Sequence, residues 1–310
     1  MTPRLSVVVP VLNGASTLPA LFSSLNAQRV DGPIEIIAVD SGSTDGSLDL
    51  LHRWADTVIR IRPDEFNHGT TRNLALSRAR AELVVLLVQD VRLSHDDCLE
   101  RLTRPLLEDS TLAGTFARQQ ARPDASALTR HYLDRWIASS PAGWRSALRG
   151  GAAEFETMSP LARMSRCTFD HVAACIRKAV WEQHPFKATP IAEDLEWARE
   201  VLVAGHELAF VPEAIVEHSH DRPASYEYQR TRLLHARLYD LFGVETIPDA
   251  ASLARAVLTS MALHLRVELP RLDLWTRAVA LAVAWPLGQY HGARDARQGR
   301  GRPAARPGSV

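Results

Sequence analysis

Two aspartates in this 310-residue sequence each follow a run of residues typical of a buried β-strand. Asp40 follows the β-branched run Ile34–Val39, and Asp90 closely follows the apolar run Leu83–Val88. Because the parallel strands of an open α/β sheet end at one edge, where ligands bind, we expect the two carboxylates in a single crevice. There they suit a divalent cation, or the hydroxyls and ring nitrogens of a nucleotide. Each aspartate could instead cap the turn or helix that follows its strand.

A second acidic pair and two histidines lie further along the chain. Glu193 and Asp194 open a predicted helix, where the helix dipole favours ionised carboxylates. Such a position would hold a carboxylate base ready, although acidic first turns are common in helices without a catalytic role. His218 and His220 follow two short strand-like runs around Pro212. Residues two apart in an extended chain point the same way, so the two imidazoles either face one site or have no ligand role.

The elements that must position these residues alternate in type along the first part of the chain. The predicted order is strand Leu5–Pro10, helix Ser16–Gln28, strand Ile34–Val39, a helix to Trp54, strand Thr57–Ile61, helix Thr71–Arg80, strand Leu83–Val88 and helix His95–Glu108. Strands that alternate with helices predict a parallel sheet covered by helices.

The segment Arg118–Arg166 is rich in Arg, Ala, Ser and Pro, which is typical of a lid or binding loop or of a helical insertion at the surface. A further strand at Thr168–Ile176 and a helix at Lys178–Gln183 follow it.

The composition limits the class of protein. The sequence is 46% hydrophobic and 23% charged, as in ordinary soluble proteins, and its formal net charge of zero gives no argument for a nucleic-acid partner. The 3 cysteines are an odd number without metal-type spacing, which indicates a reducing compartment. The N-terminus lacks the pattern of a signal peptide. We therefore expect a cytoplasmic protein.

The pattern becomes helical from about Ser225. The apolar run Ala278–Leu287 is too short to span a bilayer, which needs roughly 20 residues. Arginines surround this run, at Arg277, Arg294, Arg297, Arg300, Arg302 and Arg306. The pattern indicates either a helix that lies on an anionic membrane surface or a core helix followed by a disordered basic tail.

Six motifs that contain these residues occur in a fixed order. They are VVVPVLNG (Val7–Gly14), VDSGSTDGS (Val39–Ser47), FNHGTTRN (Phe66–Asn73), VQDV (Val88–Val91), AEDLEW (Ala192–Trp197) and VPEAIVEHSH (Val211–His220). In order and spacing they resemble the family-2 glycosyltransferases, inverting enzymes of the GT-A fold, and within that family the rhamnosyltransferase-type members that build bacterial cell-surface polysaccharides. The resemblance covers roughly residues 5–240. It implies an α/β fold of the GT-A (nucleotide-diphospho-sugar transferase) type, with a Rossmann-like, mostly parallel sheet flanked by helices. Residues 1–240 would form the glycosyltransferase domain, and residues 241–310 a C-terminal helical extension with an Arg-rich tail.

The resemblance implies which residues bind the sugar donor. The backbone near Pro10 and the carboxylate of Asp40 would hold the base and ribose of the nucleotide. Asn13 and Ser41 would line the same pocket, and Gln89 would also contact the donor.

The resemblance also implies which residues carry the reaction. Arg72 would lie near the diphosphate, and Asp90 matches the last carboxylate of the family's Asp-X-Asp metal motif. His218 or His220 would complete the metal site or touch the diphosphate. Asp194 matches the general base that takes the proton from the acceptor hydroxyl.

One position departs from the family pattern, because Val88 stands where the first Asp of Asp-X-Asp is expected. A bound Mg²⁺ or Mn²⁺ would then take one carboxylate from this motif and its other ligands from phosphates, water or a histidine. The expected reaction moves a sugar, such as the deoxyhexose rhamnose, from a dTDP- or UDP-linked donor to a saccharide or lipid-linked acceptor at the cytoplasmic face of the membrane. One in-line displacement would invert the anomeric carbon.

Two alternative functions differ from this one in class. A sugar-nucleotide pyrophosphorylase has a related fold but would carry a Gly-rich, basic phosphate loop after the first strand, which Val11–Gly14 lacks. A degenerate nucleotide-sugar-binding assembly protein without turnover would account for Val88, whereas Asp90 and Asp194 argue against it. Aromatic residues within Arg118–Arg166 would suit the faces of an acceptor sugar. The sequence leaves the oligomeric state open.

Overall fold

The N-terminal part of the molecule alternates strands and helices as the sequence predicts. The computed structural model describes residues 2–269, 271 and 274–299. Its first elements are β1 (Leu5–Val11), α1 (Leu18–Asn26), β2 (Ile34–Asp40), α2 (Ser47–Trp54), β3 (Thr57–Arg60), α3 (His68–Leu76) and β4 (Leu83–Leu87). The four strands are parallel, in the spatial order β3, β2, β1, β4. The register pairs Val11 with Asp40, so the ends of β1 and β2 are level at one edge of the sheet.

The middle of the chain extends this sheet with strands of both directions. The elements are β5 (Arg92–Leu93), α4 (Cys98–Glu108), β6 (Leu112–Gln120), α5 (Ala127–Leu133), β7 (Trp144–Ser146), α6 (Gly151–Thr157), α7 (Pro160–Arg166), β8 (Ala173–Arg177), α8 (Lys178–Gln183), α9 (Glu193–Val203) and β9 (Glu207–Glu217). Strand β8 runs antiparallel between β4 and β6, and β6 is parallel to β9. The α/β fold class is therefore confirmed, with a sheet of mixed direction.

The centre of the sheet is buried on both faces, which explains why β1, β2 and β4 are largely apolar. Successive side chains of a strand point to opposite faces. Accordingly, Val8 of β1 packs into one hydrophobic core, whereas Val7 and Val9 pack into the other. Helices α1, α2 and α4 contribute to the second core, and helices α3 and α9 to the first.

Three elements in the middle of the chain differ from the sequence-based prediction. Strand β6 was not predicted, because its small and polar residues (LAGTFARQQ) lack an alternating pattern. The strand predicted from Thr168 begins only at Ala173. The two runs around Pro212 form one strand, because a shift of register opposite Ala117 and Arg118 accommodates the proline, which has no N–H to donate.

The C-terminal helices pack on one another. They are α10 (Ala224–Phe242), α11 (Ala250–Val267) and α12 (Trp275–Arg297). A β-carbon at Gly292 of α12 would lie 2.2 Å from the carbonyl oxygen of Arg232 on α10, so this close crossing requires glycine. The division of the chain near residue 240 stays a prediction. No helix among the described residues is long and apolar enough to cross a membrane. Arg300, Arg302 and Arg306 of the predicted tail lie outside the described residues.

Candidate active site

Two loops meet where β1 and β2 end, and we call them the paired loops: residues 12–15 and residues 41–47. The side-chain oxygen of Asn13 accepts a hydrogen bond from the Thr44 N–H at 2.9 Å, and the Asn13 N–H donates to Ser43 Oγ at 2.9 Å. Asn13 has a φ of 50°, a left-handed conformation that asparagine tolerates better than most residues. The two loops therefore hold each other through side-chain to backbone hydrogen bonds.

Asp40 is buried beneath the second of these loops. Its carboxylate accepts from the N–H groups of Gly42 at 3.2 Å and Ser43 at 3.3 Å. The neighbouring Ser41 hydroxyl donates to the Val11 carbonyl at 2.9 Å. These are the contacts expected if Asp40 caps the turn. Its contact with a nucleotide, and that of Ser41, stay predictions.

Gln89 lies between β4 and the first of the paired loops. Its amide oxygen accepts from the Leu12 N–H at 2.8 Å, and its amide nitrogen donates to the Leu12 carbonyl at 3.1 Å. This two-point contact continues the pairing of β1 with β4 beyond Val8, the last residue of β1 in that register. Gln89 thus supports the backbone of the predicted nucleotide pocket, whereas its own contact with a donor stays a prediction.

The structure brings Asp90, His218 and His220 together into one group, which we call the His-Asp cluster. Their ligand atoms all lie within 4.8 Å of one another. His220 Nε2 is 3.2 Å from Asp90 Oδ2, and His218 Nε2 is 3.6 Å from Asp90 Oδ1. Arg122 holds the aspartate in place, because its guanidinium donates to the Asp90 carbonyl and lies 3.6 Å from Oδ2.

The surroundings of the His-Asp cluster keep its imidazoles neutral. Burial lowers the pKa of His218 to about 4, although the Asp90 carboxylate acts in the opposite direction. Burial also lowers the pKa of His220. A histidine must be neutral to donate a lone pair to a metal. Two neutral imidazole nitrogens and one carboxylate, converging from different strands, form a donor set that suits a transition-series dication such as Mn²⁺.

Helix α3 carries Arg72 toward the acidic pair. Asn67 caps this helix by accepting from the Gly69 and Thr70 N–H groups. A β-carbon at Gly69 would lie 2.0 Å from the Lys187 carbonyl, so glycine allows α3 to approach the segment before α9. The buried Arg72 guanidinium then lies 2.7 Å from Glu193 Oε1. Its predicted contact with a diphosphate is not tested by this geometry.

The pKa values of the two acidic residues at the start of α9, Glu193 and Asp194, are shifted in opposite directions. Burial alone would raise the pKa of Glu193, but Arg72, His171 and His68 together lower it below the usual value. The pKa of Asp194 is raised well above its usual value by burial and by the neighbouring Glu193 and Asp170 carboxylates. One carboxylate is thus held as a permanent anion, and the other has the high proton affinity that suits a general base.

Ala192, which precedes this pair, has a φ of 62°. This left-handed conformation costs about 1–2 kcal/mol for a residue with a β-carbon. Strain of this kind often marks a functional site. Here it accompanies the abrupt start of α9, from which Glu193 and Asp194 project.

Three polar residues that link or face these groups were not predicted from the sequence. Gln119, at the end of β6, lies between His218 and Asp170 and hydrogen-bonds to both. Asp170 fell within a segment predicted to be a strand, and only the polar pair Asp170-His171 in that apolar run could have marked it. Arg230, on α10, acts electrostatically on both Asp170 and His218, so it also faces this region.

The two tryptophans between residues 118 and 166 have different surroundings. Trp136 is 46% exposed and lies close enough to the Asp170 carboxylate to stabilise its charge. Trp144 packs instead against the core residues Phe116 and Phe210. An acceptor role is therefore compatible with Trp136, whereas Trp144 is a core residue.

Comparisons with known proteins place this arrangement in a family. The sequence model described as "Glycosyl transferase family 2" matches residues 6–175, more than half of the chain. The O-antigen chain rhamnosyltransferase RfbN of Salmonella typhimurium is 28% identical over 243 residues, which cover 75% of this chain and 73% of that protein. WbaN of Salmonella anatum, also an O-antigen chain rhamnosyltransferase, is 29% identical over 246 residues, with coverage of 76% and 73%.

Solved structures of similar fold agree with this match. The mannosyltransferase PcManGT from Pyrobaculum calidifontis, in complex with GDP-Man and Mn²⁺, has a TM-score of 0.60 at 19% identity, with coverage of 92% of this chain and 86% of that one. Glucosyl-3-phosphoglycerate synthase from Mycobacterium tuberculosis, in complex with Mn²⁺, UDP and glucosyl-3-phosphoglycerate, has a TM-score of 0.54 at 17% identity, with coverage of 80% and 82%. The chain belongs to glycosyl transferase family 2, and it is a glycosyltransferase with the fold of the GT-A enzymes.

Proposed function

We propose that this protein is an inverting, metal-assisted glycosyltransferase that moves a deoxyhexose such as rhamnose from a dTDP- or UDP-linked donor to a growing or lipid-linked saccharide. The observation that carries the proposal is the connection of two groups with different chemistry. The His-Asp cluster is hydrogen-bonded through Gln119 to Asp170, whose charge acts on the base candidate Asp194. The names of the two Salmonella relatives support rhamnose as the sugar.

The residues divide the reaction between them. Asp90, His218 and His220 would hold a divalent cation, which, when bound, neutralises the charge that develops on the departing nucleotide diphosphate. The half-buried Asp194 takes the proton of the acceptor hydroxyl while that oxygen attacks the anomeric carbon. The bond from this carbon to the donor phosphate breaks on the opposite side, so the configuration inverts. The PcManGT complex with Mn²⁺ supports a cation of this kind.

The experiment that tests the proposal combines donor binding with turnover. Calorimetric titration of dTDP-, UDP- and GDP-sugars in the presence of Mn²⁺ or Mg²⁺ should reveal one preferred donor. The substitution Asp90→Ala should weaken its binding. Asp194→Asn should retain binding and lower turnover by roughly 10²–10⁴-fold, because it removes the base and leaves the donor site intact.

The exposed Asp31 provides a matched control, since Asp31→Asn should change neither measurement. Full turnover in Asp194→Asn would contradict the assignment of the base. A donor affinity that changes neither on removal of the metal nor in Asp90→Ala would contradict the cation site. Binding of a donor without turnover in the wild-type chain would favour a nucleotide-sugar-binding assembly protein, and failure to bind any donor would contradict the proposal.

The acceptor is proposed to bind beside Trp136. Its exposed indole lies near Asp170, whose charge acts on Asp194. An exposed aromatic face beside the base suits stacking against a sugar ring. Trp136→Ala should raise the KM for the acceptor and leave donor affinity unchanged. Trp144→Ala should instead lower the melting temperature through lost core packing, and an unchanged acceptor KM in Trp136→Ala would contradict the proposal.

The apolar run Ala278–Leu287 lies in α12, where Ala278, Leu281, Ala282 and Ala284 are buried. Contact with an anionic membrane surface is therefore proposed for α11 instead. This helix contains arginines but no acidic residue, and Leu258 is 68% exposed on it. Leu269, just beyond its end, is 61% exposed, and Trp275 at the start of α12 is 36% exposed. Exposed apolar side chains beside arginines suit anionic lipid head groups.

Sedimentation with vesicles tests this contact. Phosphatidylglycerol vesicles should retain the full chain and release Leu258→Asp, as well as a chain that ends at Gly299. Neutral phosphatidylcholine vesicles should retain none of these proteins. Equal partition of all three proteins onto the anionic vesicles would contradict the proposal.

A further inference from the structure

We infer that Gln119 is a positioning residue that fixes the proton of His218 on Nδ1 and thereby aims the Nε2 lone pair into the His-Asp cluster. This inference rests on the cation site of the proposed function. Gln119 is 6% exposed at the end of β6. Its Oε1 lies 3.1 Å from His218 Nδ1, and its Nε2 donates to Asp170 Oδ2.

The chemistry of the amide determines the tautomer. An amide oxygen only accepts hydrogen bonds, so the His218 nitrogen that faces it must carry the proton. The other ring nitrogen of a neutral imidazole then presents a lone pair. That nitrogen, Nε2, is the one that lies 3.6 Å from Asp90 Oδ1. The Nε2 lone pair therefore points toward the Asp90 carboxylate, which would bind the same cation as His218.

Asp170 in turn fixes the orientation of the amide. A carboxylate accepts hydrogen bonds, so it selects the orientation in which the amide nitrogen faces it and the amide oxygen faces His218. Asp170 is itself held, because its Oδ1 accepts from the Val172 N–H at 2.8 Å. The order of contacts is thus backbone, carboxylate, amide and imidazole. Outer partners of this kind orient metal-binding histidines and contribute to metal affinity.

The same contacts reach the base. Asp170 is one of the two carboxylates that raise the pKa of Asp194. Gln119 therefore ties the position of a cation ligand to that of the carboxylate beside the base. A substitution at Gln119 should therefore have a larger effect on cation binding than on the base, Asp194, which it reaches only through Asp170.

The metal alone is the probe for the first test, because it needs neither donor nor acceptor. Binding of Mn²⁺ to the purified full chain can be followed by the loss of the free-ion signal in electron paramagnetic resonance. Gln119→Leu keeps the size of the side chain and removes both hydrogen bonds, and it should weaken Mn²⁺ binding by about 10- to 100-fold. Gln119→Glu can still accept from His218 Nδ1, so its affinity should lie closer to that of the wild-type chain.

Gln120 supplies the matched control. It is the next residue of the same strand and is exposed, so Gln120→Leu makes the same chemical change away from the site. It should bind Mn²⁺ as the wild-type chain does. Thermal melts show whether each variant is folded.

The second test observes the tautomer without any metal. In protein labelled with ¹⁵N-histidine, the long-range proton–nitrogen spectrum distinguishes a protonated Nδ1 from a protonated Nε2, and His218→Asn identifies the signals of this residue. We expect a protonated Nδ1 in the wild-type chain and in Gln119→Glu, and a shift toward protonated Nε2 in Gln119→Leu. A purely structural role would leave the tautomer unchanged.

The outcomes separate this inference from the proposal beneath it. Equal Mn²⁺ affinity and the same tautomer in folded Gln119→Leu and wild-type chains would overturn the role of Gln119 and leave the cation site intact. An equal lack of Mn²⁺ binding in the wild-type chain and in Asp90→Ala would overturn the cation site itself.

Discussion

The two sides of the candidate site satisfy their polar groups in different ways. In the paired loops, side chains such as Asn13 and Asp40 hydrogen-bond to backbone N–H groups. On the other side, charged side chains pair with one another, as Arg72 does with Glu193. Hydrogen bonds to the backbone fix the conformation of the paired loops, whereas the buried charges shift the pKa values of neighbouring groups and contribute to stability through ion pairs. We therefore expect the paired loops to determine which nucleotide binds, and the charged side to determine whether transfer occurs.

The largest effect should come from breaking the buried ion pair on the charged side. Arg72→Met leaves the buried Glu193 carboxylate without its arginine partner. Breaking a buried ion pair in this way typically lowers the free energy of unfolding by about 3–5 kcal/mol. Denaturant titration measures this loss. Turnover of the folded fraction should also fall, because Glu193 adjoins Asp194 in the chain.

A second substitution separates lost packing from an unpaired charge. Adding Glu193→Gln to Arg72→Met removes the unpaired charge, so the double variant should recover part of the lost stability. If the two substitutions were merely additive, the pair would not be coupled and the contrast between the two sides would weaken.

The part of the site that the sequence predicted well is the part built from regular elements. The alternation of apolar runs and helices located β1, β2 and β4, and hence Asp40 and Asp90 at the ends of strands. The HSH spacing left two alternatives, that the imidazoles face one site or that they have no ligand role, and the structure brings both imidazoles beside Asp90.

The part that the sequence could not predict depends on long-range pairing. Gln119 is 99 residues from His218 and 51 residues from Asp170 along the chain, and its strand has no clear apolar pattern. Burial of Arg72 against Glu193 depends equally on the approach of α3 to α9, across 121 residues. Periodicity is a local signal, so it cannot show which polar residues meet in the folded chain.

Acidification should affect the charged side through His171. This histidine is 3% exposed, and burial lowers its pKa to about 4. Between the usual value near 6.5 and this value, the unfolded chain binds a proton that the folded chain does not. The free energy of unfolding therefore falls as the pH falls through this window, by an amount on the order of 1 kcal/mol from this residue between pH 7.5 and 5.5.

The substitution His171→Gln removes this proton and tests its contribution. The variant should lose less stability than the wild-type chain on acidification, even if its stability at pH 7.5 is lower. His52, which is exposed on α2, gives the control His52→Gln. An identical pH dependence in His171→Gln and the wild-type chain would show that the buried imidazole does not contribute to acid sensitivity.

The smallest effect on the rate of transfer is expected in the paired loops. Asn13→Ala removes the acceptor for the Thr44 N–H and leaves a β-carbon at a φ of 50° without that compensation. Each of these two changes costs about 1 kcal/mol. Asn13→Gly loses the same hydrogen bond but adopts this φ freely, so it should be more stable than Asn13→Ala by about 1 kcal/mol.

Because the paired loops form the predicted nucleotide pocket, both variants should weaken donor binding by a few-fold and leave the rate of transfer at saturating donor almost unchanged. Asn26→Ala, at the exposed end of α1, should alter neither quantity. A large fall in that rate for Asn13→Ala would mean that the paired loops also take part in transfer, and the division between the two sides of the site would not hold.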